Sequence, residues 1–262
     1  MKTRRLSRLC AAALAVFALT ALPVAAQQSA TVEIPLFGDT TLEVESYNGG
    51  ARFVPIAATT EATGVTVKVA ISGARPNQLP VQSTRVSKRV IVTIGRGSGA
   101  TQLPFVAKNQ VAYEVDYPAR MKLVVHAFGG DIDVVDPTSA VSVTDASGDV
   151  LIENPRAPVA VDNQAGAVIV RRAVAALDLA ADAGDITADL DPAWLPRSIR
   201  IESASGNLHL TVPANFKAKV EASSQSGSVH SALSPSAANA SGPPVWLYAE
   251  HGDVTIAFPQ PR

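Results

Sequence analysis

Four stretches of twelve residues decide the fold: LVVHAFGGDIDV (123–134), VSVTDASGDVLI (141–152), VAVDNQAGAVIV (159–170) and LDLAADAGDITA (177–188). Each stretch begins 18 residues after the one before it and carries a glycine at its eighth position. The pattern continues less regularly at Gly206, Gly227 and Gly252, after longer and unequal intervals. Repetition at a fixed interval of about 20 residues indicates an array of stacked structural units.

Aliphatic side chains alternate with polar ones on both sides of each glycine. They stand seven and five residues before it and two and four residues after it, as in Val141 and Val143, and in Val150 and Ile152. A period of two is typical of a strand with one buried face. Each repeat therefore predicts a strand, a tight corner at glycine, a second strand and a looser, proline-containing corner.

The predicted fold class is all-β. One unit cannot bury its four inward side chains alone, whereas stacked units align them about 4.8 Å apart in continuous rows. We expect a single-stranded, right-handed β-solenoid resembling a β-helix, with Val143, Val161 and Leu179 directly over one another. An antiparallel sandwich, which also has short alternating strands, is the structural alternative.

Residues 27–119 are predicted to complete one continuous domain with the solenoid repeats of residues 120–262. The segment 42–53 has the same spacing around Gly49 and is interpreted as a first coil set apart from the others. Three strand-like runs follow it, at 65–71, 86–94 and 111–117. We expect them to form short antiparallel strands that cap the end of the solenoid, since an open coil end exposes unpaired backbone groups.

Residues 1–26 resemble a signal peptide. Four basic residues precede an apolar run of about 14 residues, and small residues then lead to a predicted cleavage site after Ala26. The run is shorter than the roughly 20 residues of a membrane-spanning helix. Cleavage would remove four of the 22 basic residues, none of the 23 acidic ones and the single cysteine, leaving a net charge of -5. The predicted mature protein is exported, to the periplasm, the cell surface or the medium, and has neither disulfides nor a basic face for nucleic acid.

The segment YEVDYP (113–118), the corner GDVLI (148–152) and the run GNLHLTVP (206–213) resemble a bacterial family of exported, repetitive β-strand domains called putative adhesins. The resemblance covers roughly residues 30–258. It implies a structural or interaction role towards a protein or glycan of the cell envelope. It implies no catalytic residues and no cofactor.

Two pairs of outward residues are candidates for binding a metal ion. Asp131 and Asp149 follow successive corner glycines, and stacked carboxylates could attract Ca²⁺. His209 and His230 occupy equivalent positions in consecutive repeats and could share Zn²⁺, although a third ligand is lacking. Solvated corner residues are the simpler interpretation of both pairs, and we predict no metal site.

An enzyme acting on polysaccharides is the main functional alternative, because right-handed β-helices also serve as the scaffold of such enzymes. Its active site would need converging carboxylates on one face. Asp133 looks isolated in its column, and neither His126 nor His251 has an obvious partner. Trp194, in a longer loop, could pack locally or stack on a sugar. We therefore expect a non-enzymatic module, with a small apolar step at Leu151 and Ile169 as one possible contact patch.

Overall fold

A computed structural model describes residues 28–47, 49–56, 64–71, 81–94, 111–192, 197–234, 238 and 242–259. The predicted signal peptide and its cleavage site lie outside the described residues. Within them the secondary structure consists of 21 strands and one helical residue, Ala238, whose N–H donates to the Ser234 carbonyl.

The strands form two sheets, and the chain alternates between them. Sheet 1 has eleven strands: β1 (Gln28–Pro35), β3 (Gly50–Ile56), β4 (Gly64–Ile71), β7 (Val111–Pro118), β9 (Ile132–Val135), β11 (Val150–Glu153), β13 (Val168–Ala173), β15 (Ile186–Leu190), β17 (Leu208–Thr211), β19 (Val229–Ser231) and β21 (Val254–Ala257). Sheet 2 has ten strands: β2 (Thr41–Ser46), β5 (Gln82–Val86), β6 (Arg89–Ile94), β8 (Lys122–Ala127), β10 (Val141–Asp145), β12 (Val159–Ala165), β14 (Leu177–Ala183), β16 (Ile199–Ser205), β18 (Lys219–Ser224) and β20 (Pro244–His251).

A coil consists of one strand of sheet 2, a glycine corner and one strand of sheet 1. Successive coils pair in parallel without a register shift along sheet 2, so Val143 lies beside Val161 and Val161 beside Leu179. All three side chains are buried, as are the equivalent aliphatic residues of the neighbouring coils. The predicted β-solenoid is confirmed, and the antiparallel sandwich is wrong because the repeats pair in parallel.

The corner glycines are required by a close backbone approach between coils. A Cβ atom placed on Gly166 would lie 2.0 Å from the Gly148 carbonyl oxygen, and one on Gly184 would lie 1.9 Å from the Gly166 oxygen. Gly166 also has a φ of 126°, which side chains rarely tolerate. Each corner therefore packs its glycine directly against the carbonyl group of the coil beneath.

The stacking order at the C-terminal end departs from chain order. The coil β20–β21, last in the chain, lies between β16–β17 and β18–β19 in both sheets. Its inward side chains, such as Leu247 and Ile256, are buried, whereas Val229 in β19 is 43% exposed. The side chains of an inner coil are covered by a neighbouring coil on each side, so burying the more apolar coil there gains more free energy. The more polar coil β18–β19 lies at the end of the stack.

The N-terminal end has a related inversion. The first coil, β2–β3, pairs directly with β8–β9, although strands β4 to β7 separate the two coils along the chain. Strands β6 and β7 stack outside it in parallel, and β1, β4 and β5 then add antiparallel strands. The expected antiparallel strands are therefore present, but they extend the two sheets and do not form a separate one.

A buried carboxylate ties this N-terminal cap together. Asp39 accepts hydrogen bonds from the Phe37 backbone N–H (3.0 Å) and from Arg85 Nε (3.0 Å). The Phe37 N–H and then the Arg85 guanidinium hold the pKa of Asp39 below its ordinary value. The contact fixes edge strand β5 to the turn that precedes β2.

Candidate functional site

The outward column after the corner glycines has a structural role. Asp149 Oδ1 accepts the backbone N–H of Ala167 in the next coil (2.8 Å), and Asp185 Oδ1 accepts that of Asn207 (2.7 Å). Asp131 does the same for the N–H of Asp149 (3.2 Å). These carboxylates therefore satisfy backbone donors that the corner leaves free.

The absence of a metal site at Asp131 and Asp149 stays a prediction, and cation binding there is the alternative to be tested. One oxygen of each carboxylate is already engaged with a backbone N–H. Across the ranges that the structure describes, no group of three or more His, Cys, Asp or Glu residues is arranged to hold a metal ion.

His209 and His230 are further apart than the sequence suggested. Thr255 pairs with His209 on one side and with His230 on the other, because β21 lies between β17 and β19. The backbones of the two histidines are therefore two strand spacings, or about 10 Å, apart. The two histidines are in consecutive repeats of the chain, but the expectation that these repeats are also adjacent in the stack is wrong, because the order of the last two coils is inverted.

The other two histidines have acidic neighbours, which the sequence did not reveal. His126 Nε2 lies 3.7 Å from Glu43 Oε1, and His251 Nε2 lies 3.8 Å from Glu250 Oε1. His126 meets Glu43 because β8 pairs with β2, although the two strands are far apart in the chain. The expectation that both lack partners is wrong.

Asp133, on the outer face of sheet 1, is not isolated in its column. Arg52 on the adjacent strand β3 lies 3.3 Å away, and the apolar Leu151 and Ile169 follow on the other side. Burial raises the pKa of Asp133, Arg52 lowers it and Glu153 raises it, with a net shift upward.

A polar column inside the glycine corner escaped the sequence interpretation. Asp145, Asn163 and Ser203, each three residues before a corner glycine, are buried. The Asn163 amide donates to the carbonyls of Gly148 (3.0 Å) and Gly166 (3.1 Å), so it bridges two coils. In the sequence, a polar residue at a position that is otherwise inward and apolar could have indicated this column. Its role is structural.

A shallow groove of about 330 Å³ crosses the outer face of sheet 2 at the beginnings of four neighbouring strands, β8, β10, β12 and β14. Its floor is made of small side chains, among them Ala140, Ser142 and Ala160. Val124 and Lys122 border one end, and Asp178 and Ser198 border the other. The groove exists because the outward column passes through Ser142 and Ala160, its two smallest members, between Val124 and Asp178.

An aromatic cluster stands at the Asp178 end of this groove. The column continues through Arg200 to Trp246, whose ring is stacked with that of Tyr248 at a centroid distance of 5.7 Å and an angle of 20°. The Arg200 guanidinium lies 5.0 Å from the centre of the indole ring and 3.0 Å from Glu202.

Sequence reasoning undervalued these outward aromatics, although the alternation in VWLY (245–248) already placed Trp246 and Tyr248 on one face. Trp194, for which the sequence left local packing or stacking on a sugar open, lies outside the described residues.

Among the described residues, no helix is both long and apolar enough to cross a membrane. The family model for Toastrack DUF4097 matches residues 31–257. No curated protein sequence is significantly similar to the chain.

Several solved structures are similar to the chain at low identity. A putative adhesin from Bacteroides fragilis is 11% identical with a TM-score of 0.43, over 90% of this chain and 99% of that one. A putative cell adhesion protein from Clostridium sporogenes is 11% identical with a TM-score of 0.38, over 89% and 100%. A putative lipid binding protein from Parabacteroides distasonis is 10% identical with a TM-score of 0.43, over 88% and 97%. These values do not assign a function to the chain.

Proposed function

The chain belongs to the Toastrack DUF4097 family, and we propose that it is an exported, non-enzymatic interaction module that presents a rigid solenoid face to a partner of the cell envelope or its surroundings. The resemblance to putative-adhesin domains noted from the corner motifs is confirmed at the level of the family. The partner, the absence of catalysis and the export are parts of the proposal.

The observation that carries the proposal is the fixed register of the outward columns. In sheet 2 the strands from β8 to β16 pair in parallel with equivalent residues aligned, so outward side chains keep a constant spacing of about 4.8 Å along the stack. Backbone hydrogen bonds and the corner contacts hold each column in place. Such a surface is preorganised, so a partner that binds it does not lose free energy to ordering the protein.

A binding experiment with the purified protein tests the proposal. Fluorescently labelled residues 27–262 should bind saturably to envelope fragments of the producing cell, and an excess of unlabelled protein should displace them. Heat-unfolded protein is the control for adsorption. Binding that never saturates, or that the unfolded chain reproduces, contradicts the interaction role.

Export has its own measurement. The N-terminal segment 1–26 supports secretion and cleavage after Ala26. Fractionation of cells producing the full chain, followed by mass spectrometry, should find a product that begins at Gln27 outside the cytoplasm. A cytoplasmic product that keeps residues 1–26 contradicts this part of the proposal.

An enzyme acting on polysaccharides is the second candidate, and the raised pKa of Asp133 favours it. A carboxyl that keeps its proton more readily than usual, beside a cation, suits a general acid. Release of reducing ends from a polysaccharide panel would establish activity, provided that Asp133→Ala abolishes it. If the protein has only an interaction role, neither the wild-type protein nor Asp133→Ala should release reducing ends.

A further inference from the structure

The groove and the aromatic cluster on the outer face of sheet 2 form one continuous surface. The outward column runs in register from Val124 through Ser142 and Ala160 to Asp178, and then to Arg200 and Trp246. The four strands that line the groove span about 14 Å from first to last, and the next two extend the surface to about 24 Å. A polymer could therefore lie across the strands, along the axis of the stack.

The polar groups at the aromatic end are held in place before any ligand arrives. Arg200 Nη2 lies 3.0 Å from Glu202, and Arg200 Nε lies 4.0 Å from Asp178. The same guanidinium packs over the indole of Trp246, which is stacked with Tyr248. Arginine, carboxylates and rings thus fix one another's positions, which reduces the entropy that binding costs.

The charges of this surface favour a neutral ligand. Asp178 and Glu202 flank the positive charge of Arg200, and Glu221, beside Trp246, is paired with Lys219. Lys122 stands at the opposite end of the groove. Neither sign dominates, so a polyanion or polycation finds no complementary field. The ligand that matches has apolar faces for the small-residue floor and the rings, and hydroxyl groups for the carboxylates, the guanidinium and the serines.

A hydrocarbon chain and a peptide strand fit the surface less well. A hydrocarbon would desolvate Asp178 and Arg200 without offering hydrogen bonds in return. A peptide that binds by adding a strand needs the backbone groups of a sheet edge, whereas here the face of the sheet is presented. We propose that this surface, Val124 to Tyr248 on the outer face of sheet 2, binds a neutral glycan. The inference deepens the proposed interaction role by naming the class of partner.

Titration calorimetry of residues 27–262 with cellohexaose and chitohexaose tests the inference. We expect saturable binding of at least one of these two neutral oligosaccharides. Ala160→Trp, which fills the floor from an outward position, should abolish the heat of binding, and Trp246→Ala should weaken affinity at least tenfold. Thr187→Ala, an outward change on sheet 1, should leave the affinity unchanged and is the control. Circular dichroism melts establish that each variant is folded.

The remaining outcomes each decide the question. Binding of hexagalacturonate, or of phosphatidylglycerol vesicles, in place of both neutral sugars overturns the assignment of a neutral glycan. Sugar binding that survives Ala160→Trp overturns the location, even if Trp246→Ala proves too unstable to measure. If neither sugar binds while envelope fragments still bind saturably, the glycan inference fails and the interaction role stands.

Discussion

Replacing one corner glycine with alanine tests what holds neighbouring coils together. In Gly166→Ala the new Cβ would lie 2.0 Å from the Gly148 carbonyl oxygen, whereas ordinary contacts begin near 3.4 Å. The two coils must therefore separate locally until this contact reaches the ordinary range. Gly38→Ala is the matched control, because Gly38 also has a positive φ of 77° but nothing lies within 4 Å of its Cβ position.

The magnitude follows from the bonds that the separation breaks. Between these two coils, the Gly148 N–H donates to the Ala165 carbonyl (2.9 Å), the Asn163 amide donates to the Gly148 carbonyl (3.0 Å), and the Ala167 N–H donates to Asp149 Oδ1 (2.8 Å). Losing two or three such hydrogen bonds costs about 1–4 kcal/mol. The positive φ disfavours alanine at both positions and adds about 1–3 kcal/mol in each variant.

We therefore expect Gly166→Ala to lose about 1–4 kcal/mol more of the free energy of unfolding than Gly38→Ala. For a chain of this size each kcal/mol lowers the Tm by about 2–4 °C, a difference measurable by circular dichroism. Equal Tm values for the two variants would refute the reasoning. They would mean that backbone conformation, and not the carbonyl contact, is what the corner requires.

Two further predictions concern the corner column and the stacking order. Ala167→Asn should raise the free energy of unfolding by about 1 kcal/mol in urea denaturation, because Asn207 at the equivalent position both donates to Asp185 and accepts the N–H of Asp253. Ala167→Leu, which adds no acceptor, should give no such gain, and equal stability of the two variants contradicts the role of the column. Excising residues 214–241 removes the end coil β18–β19 and should leave a cooperatively unfolding protein, whereas truncation after Gly242 removes the inner coil β20–β21 and should abolish cooperative unfolding. A cooperative transition in the truncated protein, with none in the excised one, contradicts the inverted order.

The sequence predicted the coils well because their burial pattern is local. Val150 and Ile152 are inward for the same reason in the sequence and in the structure: side chains alternate along a strand, and the glycine sets the phase. The constant interval between repeats then matches Val141 to Val159 and Val159 to Leu177, which the register confirms. Nothing beyond one repeat and its interval is needed to draw these conclusions.

The order of the coils could not be predicted in the same way, because all coils offer the same kind of edge. Which coil lies inside depends on a comparison of burial between coils that are distant in the chain. Leu247 and Ile256 favour an inner position over Val229 only once the whole stack is considered. The neighbours of His209, His126 and Asp133 were mispredicted for that one reason, since each partner is set by stacking order and not by chain order.

The structural constraints on a residue differ with its position in a coil, and these differences explain where a binding surface can arise. Inward residues are constrained by the core, the corner glycines by the carbonyl beneath them, and the first outward column by the N–H groups it accepts. The outward columns in the middle of each strand have none of these constraints. The side chains of Ser142, Ala160 and Trp246 project from the sheet and are not needed for the hydrogen bonds between strands. Small residues can therefore follow one another there and open a groove, and aromatic ones can close its end, at little cost to the stack. For that reason we place the proposed partner surface on the outer face of sheet 2 and not at the aspartate corners.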